Sequence, residues 1–424
     1  MKILWFCGKT FNSAHPHKIF SNIHIFLSIS QPYNIHTMKP RILILGGGSG
    51  GLVSANKLAK IFKDQAEITL IDRNPYHEFM PSYPWVAMGY KDPDDIRRPL
   101  NLLERKGVKF INDNVKEIIP SQNKVVLEKT GEISYDYLIV SLGAEIDEEA
   151  FPNFKEEAYH PWTMEGSLRL REALKNFKGG KILIGISGMY YRCPPAPFEV
   201  AGQLDFLLKA KKLREKSEIT VFHITPGPLS NMGPAISSII SEILTNKGVK
   251  FVGNFEPVKI DKDAKKVVSK DGRELEYDLL IMTPPHKPST VVAKSELAGP
   301  KGFPPVDPLT FRSKKFDNVF IIGDVVNPAI NLPPAGVVAH FQAEFVSTEI
   351  ASEIKGAYVG ESFSPVAMCI MDFGDDAVLP MCEFSKFYVD LSGPPSCGIL
   401  GRGKGVRLLK MAFEAMWFAS YLTK

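Results

Sequence analysis

Gly46-Gly47-Gly48-Ser49-Gly50-Gly51 satisfies GxGxxG between an apolar run at 41–45 and an amphipathic stretch at 52–62. In that setting the first glycine permits a tight turn and the second lets a pyrophosphate approach the backbone. The third lets helix and strand pack closely, and the free N–H groups at the helix start meet the anion. Asp72 closes the next apolar run, 68–71, at the distance where a carboxylate takes a ribose 2′-hydroxyl, with Arg73 beside it. An acid there argues against a 2′-phosphate. Much later, Gly323-Asp324 ends the run 319–322, and Pro333-Pro334-Ala335-Gly336 leads into a helical stretch. A carboxylate so placed can bond a polyol chain, and the helix start at Ala335 and Gly336 aims its positive end at whatever lies beyond.

A second glycine turn follows the run 181–185. It reads Gly185-Ile186-Ser187-Gly188-Met189-Tyr190-Tyr191-Arg192-Cys193-Pro194-Pro195. Two glycines remain, the third position is lost among bulky residues, and Cys-Pro-Pro stands where a helix would begin. A pyrophosphate could not approach this backbone as it approaches the first; the turn reads as a cradle converted into a cysteine site. Arg192 beside Cys193 is expected to favour the thiolate. The other cysteines, Cys7, Cys369, Cys382 and Cys397, form no CxxC pair, so neither zinc nor a thioredoxin-like centre is indicated. A set of five does not suit a secreted disulfide framework, and if any two are bonded, a redox role is expected before a staple. Cys382 and Cys397 are equally compatible with small buried residues.

The elements that must hold these residues alternate strand and helix. Runs at 41–45, 68–71, 109–111, 124–127 and 137–141 read as strands of a first unit, and 181–185, 219–223 and 279–283 as strands of a second. Pro284 to Pro288 makes a rigid, non-helical exit, after which strand 319–322 and helix 336–354 return to the first pattern. The expected fold class is α/β, with two Rossmann-like dinucleotide-binding domains and a C-terminal membrane-interface segment. The boundaries are a leader at 1–37, a first domain at 38–150 and 291–360, a second at 151–290 carrying Cys193, and a C-terminal region at 361–424. Met38 opens a natural start, and the leader has no signal-peptide pattern.

At 424 residues, 44% apolar and 23% charged, the chain is a folded protein of more than one domain. A net charge of +4 with no basic run interleaved with aromatics excludes a nucleic-acid binder, and suits an anionic membrane or substrate. No apolar run reaches the roughly 18 residues of a spanning helix.

The chain after Met38 resembles the sulfide:quinone oxidoreductases and their relatives, the flavocytochrome c sulfide dehydrogenases and the type II NADH dehydrogenases. The resemblance rests on GGGSGG at 46–51, HEFMPSYPWVAMG at 77–89, CPPAPFE at 193–199, YDLLIMTPPH at 277–286, IIGD at 321–324 and the cysteine within MCIMDFGDD at 368–376. It implies FAD as cofactor and a disulfide or sulfur bridge over one flavin face, matched here by Cys193 and Cys369. It also implies sulfide and quinone as substrates. Two positions depart from the family. Trp162 stands where many members carry a third cysteine, and Asn231 where a histidine is common. Glu165, His223 and His286 remain candidate acid–base residues. The alternatives are a type II NADH:quinone oxidoreductase, against which the degraded second cradle speaks, and a non-catalytic flavin electron-transfer subunit, against which the two cysteines speak.

Near the C-terminus, residues 406–424 place Leu408, Leu409, Ala412, Phe413, Ala415, Met416, Trp417 and Ala419 on a wide apolar face, with Arg407, Lys410 and Glu414 opposite. This suits a helix lying in a membrane interface, and burial of that face in the protein core would give the same pattern. A peripheral protein on the cytoplasmic side of a membrane is the expectation, and a homo-oligomer is compatible with it. Phe384, Phe387 and Tyr388 are candidates for a quinone-stacking slot. The purified protein is expected to be yellow, with about one FAD per chain; folded, colourless protein that takes up no added FAD would end this reading.

Overall fold

The computed structural model describes residues 38–356, 363–388 and 393–423; the expected leader, with Cys7, lies outside them. Strand Arg41–Leu45 is buried along four of its five residues, the pattern of a parallel strand covered on both faces. It occupies the middle of a five-stranded sheet in the order Val319–Ile321, Tyr137–Val140, Arg41–Leu45, Glu67–Asp72, Val108–Asn112, with every pair parallel. Because the chain leaves the central strand toward one side and later returns on the other, a crevice opens at the carboxyl ends. The glycine turn and Gly323-Asp324 follow strands of this sheet, and Asp72 is the last residue of another. Helix Ser49–Phe62 packs against helix Gly336–Lys355, joining early and late sequence over one core.

A second parallel sheet runs Ala158–Tyr159, Leu279–Thr283, Gly180–Ile186, Ser217–Phe222, Lys250–Val252. Its central strand delivers the second glycine turn and then helix Ala196–Ala210, which begins only after Cys193-Pro194-Pro195. The passages between sheets are themselves paired: Ala144–Ile146 runs antiparallel to His286–Pro288, so the proline-rich exit is a short strand.

Beyond residue 362, strands Val366–Met368, Met371–Asp372, Ala377–Glu383 and Ser396–Arg402 make an antiparallel sheet that feeds the terminal helix Lys404–Tyr421. Cys369 lies between the first two of these strands, its N–H donating to Pro380 O at 3.2 Å. Cys382 and Cys397 face each other across adjacent strands and are disulfide-bonded with Cα atoms 4.1 Å apart. They are thus a cross-strand link, not two independent buried thiols.

Of the two placements open to the terminal helix, the structure takes the one in which most of its apolar side, Trp417 apart, points outward and its charged side meets the protein. Lys410 and Glu414 are buried, together with Trp417 and Phe418. Leu408, Leu409, Met411, Phe413 and Met416 are exposed, Leu408 at 66% and Met416 at 57%. Helical period separates a charged face from an apolar one but does not say which of them meets the protein. Here ion-pair partners on the protein draw the charged face inward.

Phe384 and Tyr388 do not form an open slot. Both are buried in the first core, and the Tyr388 hydroxyl donates to Pro308 O. The side chain of Phe387 lies outside the described residues.

The glycine turn itself is held by contacts that tolerate no side chain. A Cβ on Gly51 would lie 1.8 Å from Gly46 O, whereas one on Gly48 would meet nothing within 4 Å. In flavin-free protein, Gly51→Ala is expected to cost about 1–3 kcal/mol by overpacking, read as a lowered unfolding midpoint. Gly48→Ala should leave that midpoint nearly in place; equal losses would mean the turn is not packed as described.

Candidate active site: a nucleotide cradle facing a dithiol

The cradle is built from backbone groups that point to a ligand and side chains that hold them there. Gly47 N–H donates to Asp72 Oδ2 at 2.6 Å and Asn74 N–H to Oδ1 at 2.7 Å. Burial pushes the Asp72 carboxyl up, while these amides favour its ionised form. Gly48 opens onto free space, so a phosphate can reach the backbone there. Arg73 is exposed on the following loop.

At the other anchor, Gly323 N–H donates to Gln342 Oε1, Gln342 Nε2 to Asn327 Oδ1, and Asn327 Nδ2 to Pro333 O. This chain of bonds fixes the Gly-Asp turn to the proline segment. Asp324 is buried, which pushes its carboxyl up, and it accepts the Ala335 N–H. A Cβ on Gly336 would lie 3.0 Å from Ser49 Oγ, so the starts of both long helices converge on the same crevice. Two positive helix ends, two carboxylates and one bare backbone fit a dinucleotide that carries a pyrophosphate and a polyol. FAD fits this donor set, with Gly46, Gly48, Ser49, Gly50, Gly51, Asp72, Gly323, Asp324, Ala335 and Gly336 as the residues that would hold it.

The second turn does other work. A Cβ on Gly185 would collide with the Phe222 ring at 2.0 Å, so this glycine serves packing within the protein. Cys193 has φ of +62°, a left-handed conformation that costs a non-glycine residue energy and persists only where its surroundings impose it. They do so here. Cys193 N–H donates to Pro334 O at 2.9 Å, Ala196 N–H donates back to Cys193 O at 2.9 Å, and the Tyr190 hydroxyl donates to Asp324 O at 3.0 Å. The cysteine loop is thereby bonded to the loop that flanks the cradle. Cys193 packs against a small cluster that includes Trp162, whose Nε1–H donates to Arg192 O at 2.7 Å while Arg192 Nη2 donates to Trp162 O at 2.8 Å.

Cys193 and Cys369 are unbridged thiols within hydrogen-bonding reach of each other. The Cys369 S–H donates to Cys193, which pulls the Cys193 thiol below its ordinary value and pushes Cys369 well above. The cation that further favours a Cys193 thiolate is Lys410 of the terminal helix. The expectation for Arg192 is corrected accordingly: its guanidinium is turned to the Trp162 carbonyl.

Lys410 is 3% exposed and ion-paired with Glu199, equally buried, on the helix that follows Cys193. Burial pushes Glu199 up to about 7, the nearby ammonium only partly offsetting it. Gln203 Nε2 donates to Glu199 at 2.9 Å. Asp372, three residues after Cys369, accepts Trp85 Nε1–H at 2.8 Å and pairs with Arg407. Glu414 accepts from Ser82 and Lys91. The sequence gives no site role to Glu199, Asp372 or Trp85, and shows Lys410 only as part of a charged helix face. Three of them lie within or beside the quoted motifs, but their partners are hundreds of residues away. Among the acid–base candidates, Glu165 is exposed. His223 is buried between Tyr191 and Thr225, and burial lowers it to about 4. His286 stands beside the cysteine loop, lowered to about 3 by burial and Arg192.

Residues 40–343 match the family described as pyridine nucleotide-disulphide oxidoreductase. The chain is 28% identical over 403 residues to the sulfide-quinone reductase of Aquifex aeolicus, covering 89% of this chain and 90% of that one. The solved structure of the sulfide:quinone oxidoreductase from Aquifex aeolicus superposes with a TM-score of 0.79 at 25% identity, over 90% of this chain and 91% of that one. A type II NADH:quinone oxidoreductase of Staphylococcus saprophyticus is 24% identical, over 76% of this chain and 85% of that one. A match over residues 40–343 takes in both parallel sheets and the loop of Cys193, so the chain belongs to the pyridine nucleotide-disulphide oxidoreductase family, and within it is an FAD-dependent oxidoreductase.

Proposed function

We propose that the protein oxidises sulfide at the Cys193–Cys369 pair and delivers the electrons to quinone at a membrane surface. The observation that carries this reading is the contact between two thiols from distant parts of the chain, on a loop bonded to the cofactor-flanking segment. Relatives named for sulfide and quinone support it. An NADH reading needs a second glycine cradle, and there bulky residues replace the third glycine and Cys193-Pro194-Pro195 stand ahead of the helix start.

The electrostatics assign roles to the two sulfurs. With the pair oxidised, HS⁻ attacks one sulfur. The S–S bond breaks, a new S–S bond forms to the incoming sulfur, and the other cysteine leaves as a thiolate carrying the electron pair. Lys410 favours a thiolate at either sulfur and the Ala196 amide favours one at Cys193, so Cys193 is taken as the leaving sulfur and Cys369 as the persulfide. Glu199, near 7 beside the pair, accepts the proton that the persulfide sheds on ionising. FAD, when bound, supplies the two-electron acceptor for the thiolate and the donor to the second substrate.

Quinone is lipid-borne, and the exposed apolar side of the terminal helix offers the means of reaching it. Leu408, Leu409, Met411, Phe413 and Met416 project outward, with Leu400 and Met368 of the C-terminal sheet also exposed and Lys404 at the helix start for anionic headgroups. Among the described residues no helix is long and apolar enough to cross a membrane. A helix lying in the interface answers to both facts.

Two experiments test the reading. Mixed anaerobically with the parent protein, sulfide should bleach the flavin and NADH should not. Cys193→Ser and Cys369→Ser should each lose the fast sulfide phase while keeping FAD. Cys382→Ser breaks a link closing a separation of 15 residues and should lower stability by about 3 kcal/mol without removing that phase. A Cys193→Ser protein that reacts with sulfide at the parental rate would sink the mechanism. For the membrane, truncation would strip Trp417 and Phe418 from the core, so substitution is the cleaner probe. Leu408→Gln, Met411→Gln and Met416→Gln combined should lower binding to anionic vesicles by roughly tenfold or more, from lost apolar burial. Reduction of long-chain quinone should fall more than that of a soluble dye. Undiminished vesicle binding would remove the helix from the membrane account.

A further inference from the structure

Gly47 is fixed at both of its backbone groups. Its N–H is taken by Asp72, and its carbonyl by Nδ1 of His77 at 2.8 Å. His77 is 2% exposed, and its other ring nitrogen, Nε2, accepts the Trp417 Nε1–H of the terminal helix at 2.9 Å. An indole N–H only donates, so Nε2 must carry the lone pair and Nδ1 the proton; the pair of bonds sets the tautomer. Burial lowers His77 to about 4, which keeps the ring neutral under ordinary conditions. The rings are nearly parallel, with centroids 5.9 Å apart, and Phe79 packs against both Trp417 and Phe418. A second tie lies one turn on. Lys106 donates to the carbonyls of Ser420 and Tyr421, in the last turn of the terminal helix, and to Asn56 Oδ1 on the helix that follows the glycine turn.

Neither His77 nor Trp417 belongs to the donor set of the cradle, and neither is used by the cysteine chemistry. We propose that they are positioning residues for the cofactor: through Trp417 and His77 the terminal helix latches the glycine turn, so the tightness of FAD binding depends on how that helix is seated. Without the indole donor, Nε2 is left buried and unpartnered, and the ring is free to exchange tautomers or turn. Either change withdraws the donor from Gly47 O and loosens the backbone that a pyrophosphate approaches. The helix that presents an apolar outer face is thus the one that holds the cofactor turn shut from within.

The test measures FAD dissociation from the full-length holoprotein, by flavin fluorescence on equilibrium dilution, in the parent, Trp417→Phe, His77→Asn and the double variant. Phe keeps the ring packing and removes the N–H. Asn keeps a donor near the Nδ1 position and removes the Nε2 acceptor. Each single variant is expected to raise the dissociation constant about fivefold, the size of one buried neutral hydrogen bond. The double variant should be no weaker than either single one, because all three lose the same bond. The unfolding midpoint should fall further in holoprotein than in flavin-free protein, whereas a merely structural role would lower both equally. Parental FAD affinity in Trp417→Phe, multiplicative losses in the double variant, or equal falls in both midpoints would overturn the latch. Trp417→Phe against the parent decides the matter alone if His77→Asn does not fold. A parent that binds no FAD would instead overturn the cofactor assignment.

Discussion

Lys410 and Glu199 are both withdrawn from water, and neither could be without the other: an unpaired buried charge is far more costly than the pair. Because one partner sits on the helix behind Cys193 and the other on the terminal helix, that single contact ties the two ends of the site together. It brings an ammonium to the thiol pair and favours a Cys193 thiolate. It also obliges the terminal helix to turn its charged side inward, so the apolar side has nowhere to go but out. Trp417, on the inward side of the same helix, is thereby brought to His77. The electrostatics of the dithiol, the exposed apolar face and the bracing of the cradle all follow from which way one helix faces.

The two parallel sheets show how one architecture is put to two uses. In the first, small residues and backbone amides face the crevice, and the groups that could crowd a ligand are drawn into bonds with Asp72 and Gln342. In the second, Cys193-Pro194-Pro195 precede the helix, and Cys193 takes up a left-handed conformation secured by the Pro334 carbonyl. The two meet where the cysteine loop of the second sheet is bonded to the segment that flanks the cradle of the first.

Carboxylates carry much of the organisation, and each is raised or held by a physical cause that can be named. Asp72, partly buried, and Asp324, buried, lie beside amides that favour their charged forms. At Glu199 burial outweighs Lys410 and Gln203 and raises the carboxyl to about 7, which leaves it able to hold a proton close to the thiols. Asp372 is surrounded by an indole, an amide and Arg407, and its place is structural: it pins the segment that carries Cys369 beneath the terminal helix.

The cradle was legible in the sequence because its requirements are local. A tight turn, a bare backbone and a helix start are imposed within a few residues, and only glycines, an acid and apolar flanks satisfy them. The alternation of strands and helices that fixes the two-sheet α/β class is legible for the same reason. The cysteine loop could be read as a spoiled cradle, also from neighbours in sequence. What the sequence left open were contacts between residues far apart along the chain. It could not show that Cys382 and Cys397 lie opposite each other on paired strands, nor that Phe384 and Tyr388 are core residues. Nor could it show that Lys410, not Arg192, is the cation beside Cys193. The terminal helix shows the limit most plainly. Its sequence determines that charged and apolar residues take opposite sides, because 3.6 residues make a turn. Which side faces the protein was decided only by the tertiary structure, where Glu199 and His77, hundreds of residues upstream, supply the partners that Lys410 and Trp417 require.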